Sequence, residues 1–169
     1  MPEQVYHSHE IQAWERRWFA QQNSSFGLMQ QVAWIVSQRL DNLFQNEYSH
    51  IQKIAVWCGT GNNAGDGYCI ASYLKQKGYL VEIFASDTSN SVDLQSAIRI
   101  AKQNHVMIHQ NFNLLSAFDC HIDALFGIGL NRELDEPWQA IIQKFNAQKG
   151  LKIAIDLPSG LNANSGQPL

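Results

Sequence analysis

The chain has 169 residues, of which 45% are hydrophobic and 16% are charged, and its formal net charge is -3. This composition suits one globular domain with a substantial core. The acidic balance and the lack of a dense Lys/Arg run argue against nucleic acid as a partner. No apolar stretch reaches the roughly 20 residues of a membrane span, and residues 1–7 lack a basic segment followed by an apolar one. We therefore expect a cytoplasmic protein with no membrane partner.

Helical and strand patterns alternate along the chain. The spacing of apolar residues predicts helices over 10–22, 26–44, 67–77, 91–104 and 136–148, and strands over 54–58, 80–85, 106–108, 119–126 and 151–156. Residues 86–92 form a polar loop in this interpretation. Strands that alternate with helices imply right-handed crossovers and a parallel α/β sheet, with ligands outside the carboxyl ends of the strands.

The cysteines and histidines show no pattern of a metal site or a disulfide. The three cysteines fall in predicted strands or a helix and form no C-x-x-C pair, so we expect reduced core residues. The histidines have no ligand spacing tied to a motif, and we expect all of them at the surface or at an edge. They are His7, His9, His50, His105, His109 and His121.

A glycine-rich segment, residues 59–67, directly follows the first predicted strand of the sheet. A predicted helix follows it, and the free N–H groups and dipole at a helix N-terminus favour an anion, so this segment is a candidate phosphate cradle. Glycines can take backbone angles that bring those N–H groups close to phosphate oxygens. The glycines are Gly59, Gly61, Gly65 and Gly67. Asn62, Asn63 and Asp66 are turn formers or helix caps when read singly, but together they favour a ligand site.

Two more polar segments follow predicted strands, and all three segments should meet, because the carboxyl ends of parallel strands share one edge of the sheet. One starts at Asp123 and continues as a second glycine nest at 127–132, and the other is 156–160. Asp123 lies inside an apolar strand, where a carboxylate without a partner is costly. Arg132 can grip a phosphate, although read alone it is a solvated surface arginine. Asp156 belongs to a ligand site or caps the turn that follows it.

Three segments, Gly61 to Gly67, Asp123 to Leu130 and Asp156 to Leu161, resemble in sequence and order the signatures of the YjeF N-terminal domain, the NAD(P)H-hydrate epimerases. The resemblance implies a three-layer αβα Rossmann-like sandwich with a mostly parallel central sheet. It implies a single domain over residues 1–169, in which residues 1–50 form a helical arm. The family pattern continues with further strands, so we expect this domain to be shortened at its C-terminus.

The resemblance also implies the ligands and the residues that hold them. The substrate is NADHX or NADPHX, the hydrated forms of the reduced nicotinamide cofactors, and a potassium ion accompanies it. The segments that match the family's NAD(P)HX site comprise Asn62, Asn63, Ala64, Gly65, Asp66, Gly127, Ile128, Gly129, Leu130, Asn131, Arg132, Glu133 and Asp156. The family's potassium ligands match Asn63, Asp123 and Ser159. Hard oxygen ligands with little total charge suit a monovalent ion.

Asp156 is the catalytic residue we expect, as general acid and then base in epimerisation of the hydrated nicotinamide carbon. In the alternative, Asp156 only hydrogen-bonds a ribose or the Ser159 turn. A noncatalytic nucleotide-binding or scaffold module of the same fold is a second interpretation. An NAD(P)-dependent oxidoreductase is a third, disfavoured because Glu82 lies inside the second strand and Asp87 lies beyond it, so no carboxylate stands at its end.

We expect a homodimer, because an uncovered sheet edge favours association. We also expect a dehydratase for the same damaged cofactor, either fused to this chain or acting with it.

Overall fold

The computed structural model describes residues 6–86, 91–113 and 116–169. In these ranges the helices are α1 Ser8–Ala20, α2 Ser25–Glu47, α3 Asn62–Gln76, α4 Val92–Gln103 and α5 Glu136–Ala147. The strands are β1 Lys53–Cys58, β2 Leu80–Ala85, β3 Met107–His109, β4 Cys120–Ala124 and β5 Leu151–Ala154. Each predicted element is present. Of the predicted loop 86–92, residues 87–90 lie outside the described residues.

The five strands form one parallel sheet in the order β3-β2-β1-β4-β5. The chain builds outward from β1 in one direction through β2 and β3, and then in the other through β4 and β5. The strand order therefore reverses between β1 and β4, and a crevice opens at their carboxyl ends, where ligands bind in this architecture. Helices α2, α3 and α4 cover one face and α5 covers the other. The predicted three-layer α/β fold is confirmed.

Alternation along the strands divides the core into two parts. In β1, Ile54 and Val56 face the helices α2, α3 and α4, whereas Ala55 and Trp57 face α5. Each of these four side chains is fully buried. A strand with both faces covered reads as a continuous apolar run, which explains why β1 is so clear in the sequence. The three cysteines are also buried and free, as predicted.

His121 lies in the core, so the prediction that every histidine is at the surface or an edge was wrong for this residue. It is 1% exposed. The Trp57 indole Nε1 donates a hydrogen bond to His121 Nδ1 over 3.2 Å. Burial lowers the pKa of His121, so the ring is neutral. Its position in β4 points it to the α5 face. There the aromatic cluster surrounds the imidazole, and the Trp57 indole N–H supplies its hydrogen bond.

Helix α3 starts at Asn62, five residues earlier than the predicted start at residue 67, so most of the predicted glycine loop is helical. None of the glycines at 59, 61, 65 and 67 has a positive φ, since the positive-φ glycines of the described chain lie elsewhere. A Cβ on Gly59 would lie 2.1 Å from the Leu125 carbonyl oxygen, and one on Gly67 would lie 2.5 Å from Ala124 Cβ. These glycines therefore allow α3 and the β1 end to approach β4 closely.

A substitution of Gly67 tests this packing role. We expect Gly67→Ala to lower the free energy of unfolding by about 1–3 kcal/mol, because the added methyl meets a buried side chain that cannot move away. The matched control is Gly129→Ala, where a Cβ has open space within 4 Å. Chemical denaturation of both variants measures the difference, and equal stability of the two would contradict the packing role.

No helix in the described ranges is long and apolar enough to cross a bilayer.

Candidate active site

A cavity of about 660 Å³ opens at the carboxyl ends of β1 and β4. The first turn of α3 and the loops after β4 and β5 form its floor, and α1 and the start of α2 form its wall. The α1 residues on this wall are Ile11, Gln12, Glu15 and Phe19, and those of α2 are Ser25, Leu28, Met29, Val32 and Val36. The position agrees with the crevice that the strand order creates.

Most residues predicted to bind NAD(P)HX line this cavity. They are Asn62, Asn63, Asp66, Gly127, Ile128, Gly129, Leu130, Arg132 and Asp156. Ala64 and Gly65 are buried in the first turns of α3 and pack on the core. Asn131 and Glu133 are exposed and lie outside the lining of the cavity. The helical start at Asn62 explains why Ala64 and Gly65 do not line the cavity. A helix directs successive residues to different sides, and these two face the core.

The first turn of α3 presents backbone donors to the cavity. Gly61 is its N-cap and supplies no side-chain hydrogen bond, whereas Ser24, Ser91 and Asp135 cap α2, α4 and α5 with their side chains. The first N–H groups of an uncapped helix need acceptors from outside the helix. Together with the helix dipole they make a binding site for a phosphate or another anion.

The three polar segments meet at Gly127. Asp156 Oδ2 accepts a hydrogen bond from the Ile128 N–H over 2.7 Å. A Cβ on Gly127 would lie 2.3 Å from Asp156 Oδ2 and 3.3 Å from Asn63 Cγ. Gly127 is therefore the place where β4, β5 and α3 bring their end groups together, and only a residue without a side chain fits there. Asp156 is held by the β4 loop, whereas the sequence had left open that it caps its own turn.

Asp66 lies deeper in the cavity, and its pKa is raised to about 7. Burial is the main cause, and the negative charges of Asp156 and Glu15 add to it. A carboxyl group in this state exchanges a proton near neutral pH. The sequence analysis did not identify Glu15 as a cavity residue. The one signal in the sequence is its spacing from Ile11 and Phe19, which places all three on the same face of α1.

Asp123, which is buried, and Ser159, which is half-buried, form a hydrogen-bonded pair behind the cavity floor. Ser159 donates to Asp123 from its N–H over 2.8 Å and from its hydroxyl over 2.6 Å, and the Leu125 N–H donates over 3.1 Å. Asp123 is 4% exposed, and burial raises its pKa. Its donors are all neutral, and no salt bridge in the described residues includes it. A buried carboxylate in this position favours a cation nearby.

Asn63, in the first turn of α3, is the third residue of the predicted potassium set. Its Nδ2 atom is buried and has no hydrogen-bond partner within the described part of the chain. An amide nitrogen and oxygen are interchangeable by a flip of the side chain, so the same end can present an oxygen to a cation. Asn63, Asp123 and Ser159 together offer oxygen donors of low total charge, and they fit a monovalent cation by their chemistry.

The parallel sheet, the uncapped start of α3 and the carboxylates beside it lie together where the strand order reverses, in a Rossmann-like α/β domain. The family model described as YjeF-related protein N-terminus matches residues 25–169, and the chain belongs to this family. The membership predicted from the three segments is confirmed. The crystal structure of the yeast protein called ynu0 has the same fold, with a TM-score of 0.84, 21% sequence identity and coverage of 99% of this chain and 75% of that chain.

The curated relatives are named for epimerisation or repair of NAD(P)H hydrates. The NAD(P)H-hydrate epimerase of Oenococcus oeni is 33% identical over 141 residues, which cover 82% of this chain and 66% of the relative. That of Lentilactobacillus buchneri is 35% identical over 131 residues, which cover 75% and 60%. The bifunctional NAD(P)H-hydrate repair enzyme Nnr of Dictyoglomus turgidum is 33% identical over 121 residues, which cover 69% and 24%. The chain thus matches about a quarter to two thirds of the length of these relatives.

Proposed function

We propose that this protein is an isomerase, an NAD(P)H-hydrate epimerase that interconverts the R and S forms of NADHX and NADPHX. The observation that carries the proposal is the position of Asp156, which the Ile128 N–H holds at the cavity beside the open N-terminus of α3. A carboxylate next to an anion site suits a substrate that combines a diphosphate with a reactive ring. The names of the curated relatives support the same activity.

The diphosphate binds the first N–H groups of α3, and Arg132 adds a charge-assisted hydrogen bond. In this orientation the hydrated nicotinamide ring points to Asp156. The α1 and α2 wall, with Ile11, Phe19 and Leu28, supplies the apolar surface that covers the ring and limits access of water. These contacts orient the substrate before any bond changes.

Asp156 acts on the hydroxyl group of the hydrated ring carbon. Its protonated form gives a proton to that hydroxyl, water leaves, and the ring nitrogen shares the positive charge that remains. The carboxylate of Asp156 then takes a proton from a water molecule that adds to the other face, which yields the epimer and restores the acid. The ionised carboxylate also stabilises the cation between the two steps. The negative charge of Asp156 contributes to the raised pKa of Asp66.

A potassium ion fits the donor set of Asn63, Asp123 and Ser159. When bound, the ion supplies a fixed positive charge that balances the buried carboxylate of Asp123. Asp123 and Ser159, which would hold the ion, also hydrogen-bond each other and so fix the loop that carries Asp156. Asn63, whose buried amide end lacks a partner, belongs to α3 and connects this set to the substrate side.

Replacement of Asp123 tests the potassium proposal. We expect Asp123→Asn to remove the effect of potassium on ligand affinity, because the amide carries no charge for the ion to balance. The control is Asp119→Asn, since Asp119 also accepts two backbone N–H groups but precedes β4. Calorimetric titration of ADP-ribose in potassium and in tetramethylammonium chloride measures the effect. An unchanged potassium response in Asp123→Asn would rule out this ligand set.

The activity itself is tested with one pure epimer of NADHX. We expect the protein to convert it to the mixture of epimers. Chromatography measures this conversion, and its rate is corrected for the spontaneous reaction. A scaffold module of the same fold would bind the dinucleotide without interconversion, and an oxidoreductase would change its oxidation state. Either result would contradict the proposal.

The proposal extends to the location, the oligomeric state and the partner of the protein. The protein repairs damaged cofactors in the cytoplasm as a homodimer, and a dehydratase for the same substrate is fused to it or acts with it. The bifunctional repair enzymes among the relatives support this partner. Sedimentation of the purified chain measures the dimer directly.

A further inference from the structure

The cavity has two sides, separated by β1 and the first turn of α3. Arg132 and Asp156 lie on the β4 side. Asp93 lies on the β2 side, in the first turn of α4, the helix that follows β2. A dinucleotide that fills both sides therefore crosses the α3 N-terminus with its diphosphate in the middle. With the nicotinamide ring at Asp156, the adenosine ribose reaches the β2 side.

Asp93 is positioned by a second element. The Ser25 hydroxyl, in the first turn of α2, donates a hydrogen bond to Asp93 Oδ2, and both residues line the cavity. A carboxylate that is held in this way accepts hydrogen bonds and donates none. It therefore suits a ligand hydroxyl and repels a ligand phosphate.

The charges of the cavity wall are unequal on the two sides. Four carboxylates line it, from Glu15, Asp66, Asp93 and Asp156, whereas Arg132 is the one lysine or arginine among the described lining residues. Arg132 follows β4, across β1 from Asp93. A group with two negative charges on the β2 side thus meets Asp93 without a neighbouring cation from the described wall.

We propose that Asp93 is a specificity-determining residue, which accepts a hydrogen bond from the 2′-hydroxyl of the adenosine ribose and makes the site prefer NADHX to NADPHX. The inference rests on the proposed function for its substrate. In doubly wound nucleotide sites an acidic residue after the second strand recognises the ribose diol, and a 2′-phosphate requires an arginine there instead. This residue was not evident from the sequence, because Asp93 lies eight residues after the end of β2. The first turn of α4 places it at the cavity.

The test compares ADP-ribose with its 2′-phosphate by calorimetry, which needs no catalysis. We expect the parent chain to bind ADP-ribose about tenfold more tightly, since like charges at close range in a partly buried site cost about this much. Asp93→Asn should bring the two affinities within about threefold, chiefly by tighter binding of the phosphorylated ligand. The control is Glu136→Gln, because Glu136 is the acidic residue in the first turn of α5, outside the cavity, and it should leave the ratio unchanged.

Equal or tighter binding of the 2′-phosphate by the parent chain would overturn the inference, as would an unchanged ratio in a folded Asp93→Asn. Epimerisation of NADHX and NADPHX is measured separately. Conversion of both at one rate would overturn the inference and leave the epimerase proposal intact. Discrimination between the two ADP-ribose ligands without epimerisation would support the role of Asp93 and refute the epimerase.

Discussion

Asp156→Asn is expected to abolish epimerisation while ligand affinity stays within about threefold of the parent. The amide is nearly isosteric with the carboxylate, and its oxygen can still accept the hydrogen bond that Ile128 donates over 2.7 Å. It cannot give or take the proton, however. Loss of general acid and base catalysis costs on the order of 10² to 10⁴ in rate. The measurement is the rate of interconversion of pure NADHX epimers, beside calorimetric binding of ADP-ribose.

The comparison is made in a parent chain that interconverts the epimers. Asp135→Asn is a suitable control, because Asp135 also accepts a backbone N–H, at the start of α5, but lies outside the cavity. It should leave the rate unchanged. Full-speed epimerisation by Asp156→Asn would remove this residue from the mechanism, and Asp66, the other carboxyl group on the cavity floor, would become the candidate for the proton transfers.

The second expected result is a gain of stability. Asp66→Asn should raise the free energy of unfolding at pH 8 by a few kcal/mol, since one pKa unit corresponds to about 1.4 kcal/mol. The folded protein raises the pKa of Asp66 from 3.8 to about 7, mainly by burial. The folded state therefore binds this proton more tightly than the unfolded state, and the parent loses stability as the pH rises from about 4 to about 7. The variant lacks this loss.

The pH dependence makes this prediction specific. Below pH 4 the carboxyl group of Asp66 is protonated in the folded and the unfolded state, so parent and variant should have similar stability. The difference between their free energies of unfolding should grow up to about pH 7 and then stay constant. Asp119→Asn is the opposite control, because backbone N–H groups lower the pKa of Asp119. That variant should lose stability at neutral pH and recover parity in acid. A difference for Asp66→Asn that does not vary with pH would contradict the raised pKa.

Asp156 and Asp66 differ in their exposure and in their expected effect on the stability of the fold. Asp156 is exposed and accepts one backbone hydrogen bond, so its carboxylate remains accessible from the cavity. Asp66 is half-buried near two other negative charges, and this arrangement lowers stability at neutral pH. Residues that are retained against stability are concentrated at functional sites, where activity requires the unfavourable charge.

The sequence by itself determined the alternation of strands and helices, the parallel sheet and the three polar segments at its edge. These features are local, since burial of both faces makes β1 continuously apolar, and the segments directly follow their strands. Family membership followed from the order of those segments. The meeting of the three polar segments was also predicted, because the ends of parallel strands must share one edge.

Only the tertiary structure decided which of these residues line the cavity. The start of α3 at Asn62 depends on close packing against β4 and α2, which local spacing does not reveal, and it turned Ala64 and Gly65 into the core. His121 became a core residue because the Trp57 indole supplies its hydrogen bond from another strand. Glu15 and Asp93 reached the cavity through α1 and α4. Contacts between residues far apart in the chain depend on how whole helices dock, and no short pattern records them.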